Sequence, residues 1–308
     1  MNEHIKYYAA LLPLKAIACL PLCVLYVLSD FLYLLAYYVF RYRRRVTREN
    51  IERVFPNWSV NEQRSLERAY YHHLCDLVVE IIKLLHISEA EMSRRVEVSG
   101  MQHVNNALAA NRPVFIMLGH FGNWEWVQQL ERHMTVEAPV HNIYRPTRTK
   151  WSNQLMLRLR SHFPGLYLQQ AYTFRSVLRF AKEGRPFVVS FIADQHPNSV
   201  TMYHKTQFLG QETAFVTGAE ELGQRIGATY IYINVRAKSR GNYRLECQPI
   251  EPLSDGLPYP YTRAYMRMME TSILEQPEQW LWSHRRWLQG KEERRTLPPA
   301  PPVREGSN

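Results

Sequence analysis

The run from Ala16 to Phe40, AIACLPLCVLYVLSDFLYLLAYYVF, constrains this chain more than any other segment, because its one formal charge is Asp30. A helix needs roughly 20 apolar residues to cross a bilayer core, so the run is long enough to anchor the chain in a membrane. Arg41-Tyr-Arg-Arg-Arg45 follows at once. Basic residues gather on the cytoplasmic flank of such segments, which places everything after residue 41 on the cytoplasmic side. Tyr33, Tyr37, Tyr38 and Tyr42 suit an interfacial belt. Pro21 and Asp30 argue against a simple crossing, so the segment either spans the bilayer or lies in its interface. A cleaved signal peptide fits less well, since the apolar run is long and its basic flank is C-terminal.

The chain therefore divides into an anchor with its basic flank (1–45), a globular domain (46–295) and a Pro-rich tail (296–308) expected to be disordered. Apolar residues at helical spacing predict helices over 47–55 and 61–85, with Ser88 and Glu91 as a capping box for another turn. Beyond 101–111 the pattern changes. Short apolar runs at 113–118, 140–144, 187–193 and 228–235, with a further one at 244–249, read as strands. Helical patterns at 123–132, 150–162, 173–183, 218–226, 258–275 and 278–288 lie between or after them. Strands alternating with helices imply an α/β fold: a mixed, mainly parallel central sheet flanked by helices, preceded by the hydrophobic membrane-anchoring helix. Sites in such sheets form past the carboxyl ends of strands, and His120 and Asp194 both fall at such ends.

The formal charge of +10 is uneven. Six arginines stand between residues 41 and 53, and nine Lys or Arg between 145 and 185 against the lone Glu183. Such fields attract an anionic partner: a lipid headgroup, a phosphorylated sugar or an acidic carrier protein. No nucleic-acid-binding motif accompanies them. The four cysteines, Cys19, Cys23, Cys75 and Cys247, match neither a zinc site nor a disulfide framework, and Cys19 and Cys23 read as small buried thiols.

The chemistry concentrates in Leu118-Gly-His-Phe-Gly-Asn-Trp-Glu-Trp126. A strand stops at Leu118, glycines 119 and 122 flank the turn, and Glu125 comes early in the next helix, where the helix N-terminus favours its charge. Acyl transfer from a thioester to a hydroxyl needs a base, and histidine is the usual one. It also needs a carboxylate to orient that base and donors for the oxyanion. His120 and Glu125 are the candidate catalytic pair. Backbone N–H groups near Gly122 and Asn123, and Arg145, are candidate oxyanion donors. Asn123 reads equally as a helix cap, and Asp194 equally as a strand-end cap. Trp124, Trp126, Trp280, Trp282 and Trp287 read as packing residues. No Gly-x-Ser-x-Gly nucleophile motif and no His-Glu-x-x-His metal motif occurs, so neither a metal nor a cofactor is expected.

Several of these blocks in order resemble the late acyltransferases of lipid A biosynthesis, the Kdo-dependent lauroyl/myristoyl type. They are Gly-His-Phe-Gly-Asn-Trp-Glu-Trp (119–126), Tyr-Arg-Pro (144–146), Ala-Asp-Gln (193–195), Phe-Leu-Gly-Gln (208–211) with Thr217-Gly218, and Trp-Leu-Trp-Ser-His-Arg-Arg-Trp (280–287). The resemblance implies an O-acyltransferase domain at 46–295 with a His120/Glu125 dyad, and Asn123, Arg145, Asp194 and Gln195 against substrate. It also implies acyl-carrier protein or acyl-CoA as donor, a glycolipid acceptor, and the inner face of the cytoplasmic membrane. Two other readings stay open: the same chemistry on a lysophospholipid, amino-acid lipid or phosphoinositide mannoside, and a non-catalytic membrane protein that binds an anionic partner.

Overall fold

A computed structural model describes residues 3–162, 165–197 and 203–287. The predicted tail at 296–308 lies outside the described residues. The apolar N-terminal run is not one helix. Helix α1 (Glu3–Ala18) stops before Pro21, which stands in extended backbone ahead of α2 (Leu22–Leu34). Proline lacks the N–H that would continue α1 but is tolerated at a helix start. A π-helical turn, Leu35–Val39, extends α2. Residues 22–39 form a helix apolar and long enough to cross a membrane.

One face of α2 packs on the body and the other does not. Leu22, Leu25, Tyr33 and Tyr37 join the main core, whereas Val24, Val27, Phe31 and Leu34 are exposed. Cys19 and Cys23, expected to be buried, are exposed on this apolar segment. Residues on both sides of position 45 share one core.

Helix α3 (Arg44–Val54) leads into the long α4 (Val60–Lys83). The capping box of α4 is Ser59 with Glu62: the Glu62 N–H donates to Ser59 Oγ (3.3 Å) and the Ser59 N–H to Glu62 Oε2 (2.7 Å). Ser88 does cap α5 (Glu89–Arg95), accepting the Glu91 N–H at 3.1 Å. Helix α4 buries Leu66, Tyr70 and Leu77 as its periodicity predicts, and also Glu67, Asp76 and Glu80. The α2–π segment satisfies these carboxylates: the Ser29 hydroxyl donates to Asp76 (2.6 Å), Tyr26 to Glu80 (2.9 Å) and Tyr37 to Glu67 (3.4 Å). Arg44 and Arg48 of the basic flank also pair with Glu67.

The rest is the expected α/β layer. In chain order come β1 (Val96–Ser99), α6 (Met101–Ala109), β2 (Val114–Leu118), a 3-10 helix (Trp124–His133) and β3 (Val140–Tyr144). Then follow α7 (Lys150–Arg160), β4 (Leu166–Gln169), α8 (Thr173–Lys182) and β5 (Val188–Ile192). The hairpin β6 (Tyr203–Phe208) and β7 (Gln211–Val216) precedes α9 (Gly218–Ile226), β8 (Thr229–Ser239), β9 (Asn242–Pro249) and α10 (Pro260–Glu275). The central sheet runs β1-β9-β8-β2-β5-β3-β4. All its pairings are parallel except β8–β9. Strand β2 is buried at every position, as a central parallel strand must be.

Three expectations need correcting. Residues 278–287 are not a helix: after a 3-10 turn at Pro277–Gln279, Trp280 pairs as an isolated antiparallel bridge with Phe121. The segment after Asn123 is 3-10 rather than α-helical. Strands β1 and β4 and the separate β6–β7 hairpin were not foreseen.

Candidate active site

Parallel pairing of β2 with β5 sets Leu118 opposite Ile192. Two residues past each strand end, His120 and Asp194 meet. Asp194 Oδ1 lies 2.7 Å from His120 Nδ1, and Oδ2 accepts the His120 backbone N–H at 3.0 Å. Oδ2 also accepts the Trp280 indole N–H at 2.9 Å. Burial alone would raise the carboxyl of Asp194. The facing His120 and these hydrogen bonds outweigh it and hold the carboxyl down at about 2. An ionised Asp194 can only accept, so Nδ1 carries a proton, and in the neutral imidazole Nε2 then presents its lone pair. The Gln195 amide N–H, 3.2 Å away, donates to that lone pair. The imidazole keeps 21% of its surface exposed, against 2% for the Asp194 side chain. Trp124 meets the ring edge-to-face at 5.1 Å.

The turn is shaped by its glycines. Gly122 has φ +56°, and a Cβ there would stand 2.7 Å from the Val235 side chain and 2.8 Å from its carbonyl. A Cβ on Gly119 would stand 2.4 Å from Met269 Cε. Trp280 fastens the turn from the other side: the Gly122 N–H donates to Gln279 O (3.0 Å) and the Leu281 N–H to His120 O (3.1 Å). That bond removes the Gly122 N–H from the expected set of oxyanion donors.

Glu125 does not reach the His120 ring as the sequence suggested. Its carboxylate is 5% exposed and is clasped by Arg160 through Nη2–Oε1 (2.6 Å) and Nε–Oε2 (2.9 Å). Asp194, remote in sequence but adjacent in the sheet, is the carboxylate that contacts the ring. Asn123 caps the 3-10 helix, accepting the Trp126 N–H at 3.2 Å, and is fully buried. Its side-chain amide donates to Glu80. Arg145 stands exposed just past β3. Trp280, read as packing, belongs to the site; its place in the Trp-rich block at 280–287 was the available signal.

An apolar cavity of about 60 Å³ opens beside this centre. Leu118 and Ile192 at the strand ends line it, as do Trp124 and the Glu125–Arg160 pair. It continues past Ile116, Val127, Val140 and Val188 under the sheet.

An imidazole held by a buried carboxylate beyond the strand ends is an arrangement that can take a proton from a hydroxyl, as an acyltransferase requires. The chain matches the bacterial lipid A biosynthesis acyltransferase family over residues 2–289 and is a member of that family. It is 27% identical over 277 residues to a lipid A biosynthesis lauroyltransferase of Escherichia coli (strain K12), a match spanning 87% of this chain and 86% of that one. It is 26% identical over 255 residues to the lipid A biosynthesis palmitoleoyltransferase of the same organism, spanning 80% and 78%. A lipid A biosynthesis acyltransferase of Haemophilus influenzae is 21% identical over 271 residues, spanning 82% and 83%.

Proposed function

We propose that this acyltransferase moves a fatty acyl chain from an acyl thioester to a hydroxyl of a lipid A precursor, with His120 as general base. The observation that carries this reading is the His120–Asp194 contact, which leaves Nε2 as the basic nitrogen; Trp124, whose ring meets the imidazole, lines the neighbouring apolar cavity. Nε2 takes the proton from the acceptor hydroxyl, and the oxygen attacks the thioester carbonyl. The tetrahedral oxyanion collapses with loss of the thiolate, which takes the proton back from the imidazolium. No covalent enzyme intermediate is needed. Gln195 holds the position the acceptor hydroxyl takes, and its N–H then turns to the oxyanion with Arg145. The Glu125–Arg160 pair fixes the wall of the cavity where the acyl chain enters.

The names of the relatives support a lipid A acceptor. The exposed Arg145, Arg148, Arg175, Arg179 and Arg185 suit an acidic carrier protein as donor. The apolar face of α2 supports membrane attachment, with exposed Arg41, Arg43 and Arg45 set beside it for anionic headgroups on the cytoplasmic side. Because the opposite face of α2 is hydrogen-bonded to α4, this helix lies along the interface rather than crossing alone.

The test is transfer from a labelled acyl-carrier-protein thioester to a Kdo-lipid A precursor in membranes, with the CoA thioester in parallel. Transfer is expected from the carrier protein and is expected to vanish in His120→Ala. Wild-type turnover by that variant, with the protein folded, would overturn the reading.

A further inference from the structure

Glu80 of α4 is completely buried, and three elements converge on its carboxylate. Tyr26 of α2 donates to Oε1 at 2.9 Å. Tyr243 of β9 donates to Oε2 at 2.8 Å, and the Asn123 side-chain amide to the same oxygen at 2.7 Å. Among the described residues no Lys or Arg forms an ion pair with it. Burial drives its carboxyl up, against these three donors, to about 7. A buried acid without a cation is costly, and a well-packed apolar side chain of similar volume would be at least as stable. Its presence therefore calls for a role other than holding the fold together.

That role is visible in what Asn123 does. The Asn123 amide has two distinguishable ends, and only one orientation lets Oδ1 accept the Trp126 N–H while Nδ2 donates to an acceptor on α4. An apolar residue at position 80 leaves the buried Nδ2 without that acceptor, so one of the two bonds that fix the side chain is lost. Asn123 stands three positions after His120, and Gly122 between them is tied to Gln279.

We propose that Glu80 is a positioning residue for acyl transfer, whose carboxylate orients Asn123 and thereby seats the turn carrying His120 against α2, α4 and β9. The proposal rests on reading His120 as the base. Displacing a catalytic group by about 1 Å can cost on the order of 100-fold in rate, so the effect belongs in kcat rather than in KM.

The experiment compares full-length variants in the membrane transfer assay, with His120→Ala alongside. Glu80→Met, which removes the acceptor without leaving a charge, is expected to lower kcat by about 10- to 100-fold at unchanged KM. Glu80→Gln, which can turn its carbonyl toward Asn123, is expected to stay within about threefold of wild type. Combining Glu80→Met with Asn123→Ala is expected to cost no more than the worse single change, because both break one contact. Wild-type kcat in Glu80→Met, a loss carried by KM, or multiplicative losses in the double variant would each overturn the proposal. If Glu80→Met does not fold, the swap decides. Asn123→Asp sets carboxylate against carboxylate and should lower kcat at least about tenfold. Adding Glu80→Gln, whose amide can donate to the new acid, should recover it, and no recovery overturns the proposal. Undiminished turnover in His120→Ala would instead sink the base assignment, whatever the Glu80 variants do.

Discussion

Asp194 binds His120 twice, at the ring through Oδ1 and at the backbone N–H through Oδ2. One carboxylate thus sets both the tautomer of the imidazole and the position of its main chain. Asp194→Asn keeps the shape but no longer demands a proton on Nδ1. It is expected to lower kcat by about 10²- to 10⁴-fold with little change in KM. Steady-state transfer kinetics check this, and an Asn variant with near-wild-type kcat would remove Asp194 from the mechanism.

Glu125 and Arg160 act as a unit. Taking away one partner of a buried ion pair leaves the other uncompensated, at a cost of about 3–5 kcal/mol. Arg160 keeps some exposure, so the lower end applies. Glu125→Ala and Arg160→Ala are each expected to lose at least about tenfold in activity, and the double variant no more than either single change. A double-mutant cycle in the transfer assay measures the coupling. Independent, multiplicative effects would show that the clasp is not what either residue contributes.

The two turn glycines differ in what surrounds them. The missing Cβ of Gly122 faces the Val235 main chain and would sit at positive φ, whereas that of Gly119 faces the flexible end of Met269. Gly122→Ala is therefore expected to destabilise by about 1–3 kcal/mol, more than Gly119→Ala does. Met269→Ala should relieve Gly119→Ala alone. Thermal denaturation in detergent distinguishes the four variants, and equal losses at both glycines contradict the account.

Acid–base linkage bears on Glu80. Its folded value of about 7 lies above the ordinary 4.5. Its contribution to stability is therefore complete below about pH 4.5 and is lost as the pH rises through 7. His73 and His284 run the other way. Burial pushes each down to about 4, so they favour the folded state at neutral pH and withdraw that support as the pH falls from about 6.5 toward 4. Glu80→Gln removes only the first effect. Its melting temperature minus that of wild type is expected to grow by a few degrees between pH 4.5 and 7 and then level off. A difference independent of pH would show that Glu80 titrates normally.

The cavity bears on chain length. Val188 stands at the start of β5, the end far from Asp194, and lines the cavity while fully buried. Val188→Phe is expected to shift preference toward shorter acyl donors by about 10-fold or more, since each methylene is worth roughly 1–3 kcal/mol. Competition between carrier-protein thioesters of two lengths reads the shift directly. An unchanged ratio would place the chain elsewhere.

The strands that build the site were legible because β2 and β5 are short, nearly continuous apolar runs, and both His120 and Asp194 stood out at their ends. Their partnership was not. The likeliest-looking carboxylate by chain distance was Glu125, while the real neighbour is set by the β2–β5 register, which joins residues 74 positions apart. The edge strands β1 and β4 have four residues each and mixed exposure, so neither shows a period. The Trp-rich block at 280–287 has the composition of a packing helix, but pairing of Trp280 with Phe121 and with Asp194 overrides that preference. Glu80 was invisible because an acid in a long helix ordinarily faces water, and nothing local reveals the tyrosines brought to it from α2 and β9.

Helix α2 has a second consequence, for handling the protein. Cutting the chain after the basic flank to obtain a water-soluble fragment would strip the Tyr26 hydroxyl from Glu80 and Ser29 from Asp76, and lay open the core that Leu22, Leu25 and Tyr37 close. The greasy end of this molecule doubles as one wall of its interior, so shortening it trades a purification problem for a folding one.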